Sequence, residues 1–552
     1  MRKLFALAMV GLLAICGATL VWEVTAFAST KYVAVVTESG PVRGISQSGE
    51  NRFLGIPYAA PPVGALRWMP PQPRGKWQGL LDATRFGNLC PQTFADPNKV
   101  VGDEDCLFLN IYTPNGDSND QDESGGGAGD GLPVMVWIHG GGYSNGSGSE
   151  TDPAPLVDGG HVIVVTINYR LNVLGFFAQS ALDAEGHPSA NYGLMDQQFA
   201  LKWVRRNIKA FGGDPNRVTI FGHSAGGQSV YFHLVSPPSG GLFQRAIAQS
   251  GALGASFAPY LAMQTLQDAE PAGNAFAAKV GCSDQSTQCL RKQSASVLVQ
   301  VQPFSGPVVD GEIIPEAPGA AFPAGHIHHV PVISGSDHDE RRLNLVNDEL
   351  LGPGPTTDAA YPDEVAAFLG VPNPDPSGLL QYFLDHYPLT DYPPPPGVMS
   401  APLALGAMGT DGLFACTARI ADEGLSQYTP TYAYEFADEN APLPYALPFA
   451  YFQAPPGFIP SPLSFPAGAY HGSELFYLFN FGATLGTDQK HLADTMIRYW
   501  SHFARTGDPN VDGTPQWPLY SVATDQFQSL RPPTPIVKLD FATDHKCAVW
   551  GL

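Results

Sequence analysis

The stretch from Phe211 to Gln228, FGGDPNRVTIFGHSAGGQ, limits what this chain can fold into more than any other. Val218, Thr219, Ile220 and Phe221 are β-branched or aromatic and read as a short buried strand. They run into Gly222-His223-Ser224-Ala225-Gly226, a G-x-S-x-G pattern, and then into the helix-compatible AGGQSVYFHLV. A serine between a strand and a helix sits at a sharp, strained corner that lifts its hydroxyl clear of the backbone. Glycines flank such a corner because the strand and helix approach too closely for a Cβ. The pattern fixes only three positions in five and recurs by chance, so its meaning depends on the rest of the chain.

A serine hydroxyl is a poor nucleophile until an imidazole takes its proton, and the imidazole needs a carboxylate to hold its tautomer. With a nucleophile on such a corner, the acid and then the histidine follow in the chain. Upstream, Leu132 to Ile138 is a continuous apolar strand that delivers His139-Gly140-Gly141-Gly142-Tyr143. Backbone N–H groups in such a glycine run can converge on one point, as an oxyanion hole requires. Val162 to Ile167 reads as another strand. Asn191 to Ile208 shows helical spacing, with Ala200, Trp203, Val204 and Ile208 on one face, and Gly212-Gly213 suits its C-terminus. Glu104 to Ile111 also reads as a buried strand. Strands alternating with helices give an α/β chain with a mainly parallel sheet.

Downstream of Ser224, Val330 to Ser334 reads as a strand followed by a loop carrying Asp337, Asp339 and Glu340. Position alone leaves all three open as the acid, and also allows three solvated loop charges. Of fourteen histidines, His471 stands out because it begins HGSELFYLF, a loop passing into an apolar helix. His386, His491, His502 and His545 sit in helical or surface-like contexts.

The 552 residues carry a net charge of −22, which disfavours nucleic acid and anionic membranes as partners. Arg2 and Lys3, an apolar run to Trp22, and Ala26-Phe27-Ala28 form an export signal over residues 1–28, with an uncleaved anchor as the alternative. Cys16 lies within that segment, leaving six cysteines in the remainder. Cys90 and Cys106 are close in sequence, as are Cys282 and Cys289, which leaves Cys416 and Cys547. Six cysteines allow fifteen connectivities, so spacing only suggests this one. None has metal-ligand spacing. Residues 115–131 are polar and glycine-rich, with no core-forming side chain, and read as a disordered surface loop.

Taken together, these motifs resemble the type-B carboxylesterase and cholinesterase family of α/β-hydrolases. The resemblance rests on Phe211-Gly-Gly with Val218-x-Ile220-x-Gly222-x-Ser224-Ala-Gly226, and on Glu104-Asp-Cys-Leu-x-Leu109-Asn. GIPYAAPPVG from Gly55, NYGLMDQ from Asn191, AIAQSG ending at Gly251, YWSHFARTGDPN from Tyr499 and Trp517-Pro also fit. It implies one α/β-hydrolase domain over residues 29–552, with a large, mostly parallel twisted sheet flanked by helices, where length alone suggests two to four domains. It implies Ser224, Glu340 and His471 as a triad working through an acyl-enzyme, with oxyanion donors at Gly141, Gly142 and Ala225. It also implies disulfides Cys90–Cys106, Cys282–Cys289 and Cys416–Cys547, and no metal or cofactor. The expected substrate is a small-molecule ester.

Three departures bear on that substrate. The Cys90–Cys106 segment lacks the tryptophan that cholinesterases keep there. His223 stands where glutamate is usual, and Arg341, Arg342, Leu343 and Asn344 replace the aromatics usual after the acid. A cationic choline ester is thus disfavoured, and His223, Leu343 and Asn344 become candidate pocket residues. The proline- and aromatic-rich stretch 442–465 reads as a gorge rim or lid favouring bulky ester groups, or as an insertion packed on the surface. A lipase-like enzyme for long-chain esters is the nearest alternative. A non-catalytic adhesion protein is the other, and the complete triad argues against it.

Overall fold

The computed structural model describes residues 31–551 except 48, 94–97, 116–130, 254–262, 302–305, 395–397, 444 and 446–460. The segment 1–28 expected to direct export, and most of the 115–131 and 442–465 stretches, lie outside the described residues. The principal strands are β1 (Lys31–Thr37), β2 (Gly40–Ser46), β3 (Glu50–Pro57), β4 (Phe108–Pro114), β5 (Leu132–Ile138), β6 (Ile163–Ile167), β7 (Gly213–His223), β8 (Arg245–Gln249), β9 (Val332–Asp337), β10 (Thr431–Phe436), β11 (Phe527–Leu530) and β12 (Ile536–Lys538). They lie side by side in the order β1-β2-β3-β4-β6-β5-β7-β8-β9-β10-β11-β12. Neighbours from β6 through β11 are parallel, and the pairs outside that block are antiparallel.

Both faces of the central strands are covered, which is why they read as unbroken apolar runs. Along β5, Val134, Val136 and Ile138 join one core cluster while Met135 and Trp137 join the other. β6 alternates in the same way, with Ile163, Val165 and Ile167 on one side and Val164 on the other. The first face is closed by helices α1 (Tyr192–Asn207) and α2 (Ala225–Val235), through Leu201, Val204 and Val230 among others. The second is closed by α3 (Arg342–Leu351), α4 (Ser400–Thr410) and α6 (Thr487–Thr506), through Val346, Met408 and Met496. Helix α5 (Cys416–Leu425) continues from α4 through a π-helical turn, Asp411–Ala415.

The signature segments are anchors of this frame. Asp196 of NYGLMDQ takes Arg170 Nε at 2.7 Å and Nη2 at 2.8 Å, and both are buried. Losing one partner would leave an uncompensated buried charge, at about 3–5 kcal/mol. Arg67 spans from Glu104 (Nε to Oε1, 2.7 Å) to the carbonyl of Gln293 (2.6 Å). The three expected disulfides form, with S–S lengths of 2.01, 2.05 and 2.06 Å. No helix among the described residues is long and apolar enough to cross a membrane.

Several expectations need correcting. The strand expected from Glu104 begins at Phe108. Residues before it turn to serve Arg67 and the Cys90–Cys106 disulfide rather than the sheet. The strand expected over 330–334 runs instead from Val332 to Asp337, because β10 pairs with it to its last residue. The helix expected after His471 is a short 3₁₀ turn, Ser473–Tyr477. His545 is buried between two acids.

Candidate active site

Strand order reverses where β5 lies between β6 and β7, and the carboxyl ends of β5 and β7 meet there. Such switch points leave a crevice in open α/β sheets. Ser224 leaves β7 with φ 59° and ψ −122° and caps α2. That conformation is strained for any residue but glycine. Two hydrogen bonds hold it, Ser224 N–H to Gln249 O at 2.9 Å and Gln228 N–H to Ser224 O at 2.8 Å. A Cβ on Gly226 would fall 1.9 Å from Ile138 O, so only glycine lets α2 sit against β5. Beside it, Gly141 (φ 97°) and Gly142 (φ 60°) turn the loop after β5, and Ser144 N–H and Asn145 N–H close it by donating to Gly141 O at 3.0 and 3.1 Å. A Cβ on Gly141 would fall 2.3 Å from Asn145 O. Ala225 begins α2 directly after the serine and is buried.

The three candidate acids are buried, and each turns to a different partner. Asp339 accepts from Ala469 N–H at 3.0 Å and pairs with Arg342 Nη2 at 2.9 Å. Burial opposes its charge, but Arg342 and His338 hold it below the usual carboxylate range. Asp337 Oδ2 accepts from Gly472 N–H at 2.9 Å. Glu340 is the acid that meets the histidine: its Oε2 lies 2.5 Å from His471 Nδ1, and its Oε1 accepts from Asp337 N–H at 2.8 Å. A second tie, His471 N–H to Glu340 O at 3.2 Å, fixes the backbone of the histidine too. A histidine whose Nδ1 donates to a carboxylate keeps its Nε2 as the basic nitrogen.

His223 is fully buried, with its ring 4.4 Å from that of His471. Burial first, and the neighbouring His471 second, push its pKa well below the usual imidazole value, so it is neutral. Its Nε2 is 3.6 Å from Glu474 Oε1. Leu343 is buried in the second core cluster, and Asn344 is exposed on α3. Two residues near His471 escape sequence reasoning. Phe414, from the π-helical turn, packs with its ring centroid 4.9 Å from that of His471, tilted by 47°. Glu474 lies three residues after His471, within the HGSE motif, and no local signal marks it as buried against the site. Among the described residues, side-chain atoms of types that can hold a metal come within 4.8 Å of one another in two places, His223/Asp337/Glu474 and His338/Glu435/Asp544/His545. In the second, both nitrogens of His545 and the ammonium of Lys538 already serve the carboxylates.

A strained serine and a glycine loop follow adjacent strands, and with a histidine bound to a buried glutamate they make an arrangement suited to hydrolysis. The sequence profile of the carboxylesterase family matches residues 31–550. This chain belongs to the carboxylesterase family. It is similar to the para-nitrobenzyl esterase of Bacillus subtilis (strain 168), with 34% identity over 518 residues that cover 89% of this carboxylesterase and 93% of that protein. The pyrethroid hydrolase Ces2e of Rattus norvegicus is 35% identical, covering 87% of this chain and 83% of its own. The cocaine esterase of Oryctolagus cuniculus is 33% identical, covering 88% and 90%. Among solved structures, a thermophilic pNB esterase superimposes with a TM-score of 0.72 at 30% identity, covering 94% of this chain and 99% of its own. A second pNB esterase gives 0.71 at 31%, with the same coverage. The carboxylesterase is therefore an α/β-hydrolase and a serine carboxylic ester hydrolase, whose substrates are small-molecule esters.

Proposed function

We propose that Ser224, His471 and Glu340 are the nucleophile, base and acid of this carboxylesterase, and that it is an exported enzyme for neutral, hydrophobic esters. The observation that carries the triad is the 2.5 Å contact of His471 Nδ1 with Glu340 Oε2, in a histidine whose ring packs on the residue preceding Ser224. Ser224 Oγ attacks the ester carbonyl as His471 Nε2 takes its proton, and Glu340 steadies the imidazolium. N–H groups of Gly141, Gly142 and Ala225 receive the oxyanion, each donor contributing roughly 10²–10³ in rate. His471 returns the proton to the leaving alcohol, which leaves an acyl group on Ser224. It then activates a water that releases the acid.

Preference for neutral, hydrophobic esters follows from what lines the base. His223 is neutral and buried, so it offers no carboxylate to a cationic alcohol group. Phe414 presents an aromatic face. Export is supported by three disulfides, which persist in oxidising compartments. The test is p-nitrophenyl butyrate hydrolysis by wild type and Ser224→Ala. The variant should lose at least about 10³-fold in kcat, and near-wild-type turnover would refute the assignment. A choline ester and its uncharged isostere, compared on the wild type, test the charge preference, and a faster choline ester would contradict it.

A further inference from the structure

Two carboxyls lie behind the base that ester hydrolysis does not use. Asp337 ends β9, Glu474 sits in the 3₁₀ turn after His471, and both are fully buried. Asp337 bridges the two partners of the proposed triad. Its N–H donates to Glu340 Oε1 at 2.8 Å, and its Oδ2 accepts from Gly472 N–H, next to His471, at 2.9 Å. Glu474 Oε1 accepts from Gln249 Nε2 at 3.1 Å. The other oxygens, Asp337 Oδ1 and Glu474 Oε2, have no donor among the described residues, although their carboxyls are hydrogen-bond neighbours. Two ionised carboxylates cannot stand together in a dry interior, whereas one proton between them satisfies both oxygens.

We propose that Asp337 and Glu474 form a buried carboxyl pair that shares one proton and positions His471 against Glu340. The proposal rests on His471 being the base. Burial first, and the neighbouring carboxylates second, raise Asp337 far above the carboxylate range, so it keeps the proton. Burial also lifts Glu474 to about 7. The groups facing the pair are Glu340, His471 and His223, with Gln249 from β8, Tyr434 from β10 and Tyr470 beside the base. Glu474 thus changes charge near neutral pH, within the field that His471 feels. Ionisation of Glu474 places a negative charge behind the base, which steadies the positive charge the ring takes up during turnover.

Three variants separate positioning from packing. Asp337→Asn keeps an oxygen for Gly472 N–H and offers an amide donor to Glu474, so the clamp survives without the shared proton. Its kcat/KM at alkaline pH should stay within about threefold of wild type, with the inflection that Glu474 adds near neutral pH retained, because a neutral amide replaces a neutral acid. Glu474→Gln should lose the same inflection. Asp337→Leu removes the clamp and should lower kcat by about 10–100-fold. Infrared spectroscopy over the same pH range reads the pair without turnover, so an active Ser224→Ala would refute the nucleophile and leave this result intact. A protonated-carboxyl band should weaken in Asp337→Asn and Glu474→Gln relative to wild type. The buried Asp422, raised far above the carboxylate range by burial, adds a constant band to all three. Identical bands and identical pH profiles in wild type, Asp337→Asn and Glu474→Gln would overturn the proposal.

Discussion

Glu340 has both oxygens committed, one to His471 and one to the N–H of Asp337. Glu340→Gln keeps the shape but can turn an amide N–H toward Nδ1, which selects the wrong tautomer. It should cut kcat by about 10³–10⁴ while leaving KM within a few-fold, read from initial rates on one ester. The sequence leaves Asp337, Asp339 and Glu340 undecided for a physical reason. All three lie at or just past the end of one strand, and which one meets the histidine depends on how the chain turns after Asp337. That turn is set by partners distant in sequence, Ala469 and Gly472, whose positions no local pattern encodes. Ser224 is different. Its strained corner shows in the glycines beside it, because Gly222 and Gly226 answer a steric demand of the turn itself.

Between α4 and α5 the helix widens by a π turn, and such turns recur at functional sites. The turn carries Phe414 onto His471 at one end. Near its other end, Asp411 accepts from the Tyr387 hydroxyl at 2.8 Å and pairs with His545 Nδ1 at 2.8 Å. Phe414→Ala should widen the space over the base. The expected outcome is a rise of about 10-fold in the kcat/KM ratio of a bulky to a small acyl ester, in line with pocket contacts worth 1–3 kcal/mol. An unchanged ratio would remove Phe414 from the specificity argument. No sequence signal marks this element. SAPLALGAMGTDGLFACTARI reads as continuous apolar helix, and one extra residue in a turn leaves no periodicity to detect. The central strands were legible because burial on both faces writes an unbroken apolar run. Their ends were less so, because where pairing stops depends on the neighbouring strand.

Across the whole molecule, two ties that hold the C-terminal segment to the frame can be tested separately. Cys416–Cys547 closes a separation of 131 residues, worth roughly 5 kcal/mol on the chain-entropy account. Cys547→Ser should therefore lower Tm more than Cys289→Ser, whose bridge spans only 7 residues. Equal losses in a thermal scan would argue against the entropic account. The second tie is His545, between Asp411 and Glu435 at 2.8 Å each. Burial works against its charge, but the two acids lift its pKa to about 9. A raised histidine stabilises the fold fully below the unfolded value near 6.5 and loses that contribution as pH rises through 9, on the order of 3 kcal/mol. His545→Gln should abolish this pH-dependent part of the Tm decline, and an identical decline in the variant would contradict the assignment.

Ester turnover by the proposed triad runs through one nucleophile. Stoichiometric phosphorylation by diethyl p-nitrophenyl phosphate, followed by mass spectrometry of the digested protein, tests it most directly. One phosphoryl group per chain should appear on the peptide containing Ser224, with turnover lost in step and no label on His471→Ala. A label on another residue, or full inhibition with Ser224 unmodified, would contradict it.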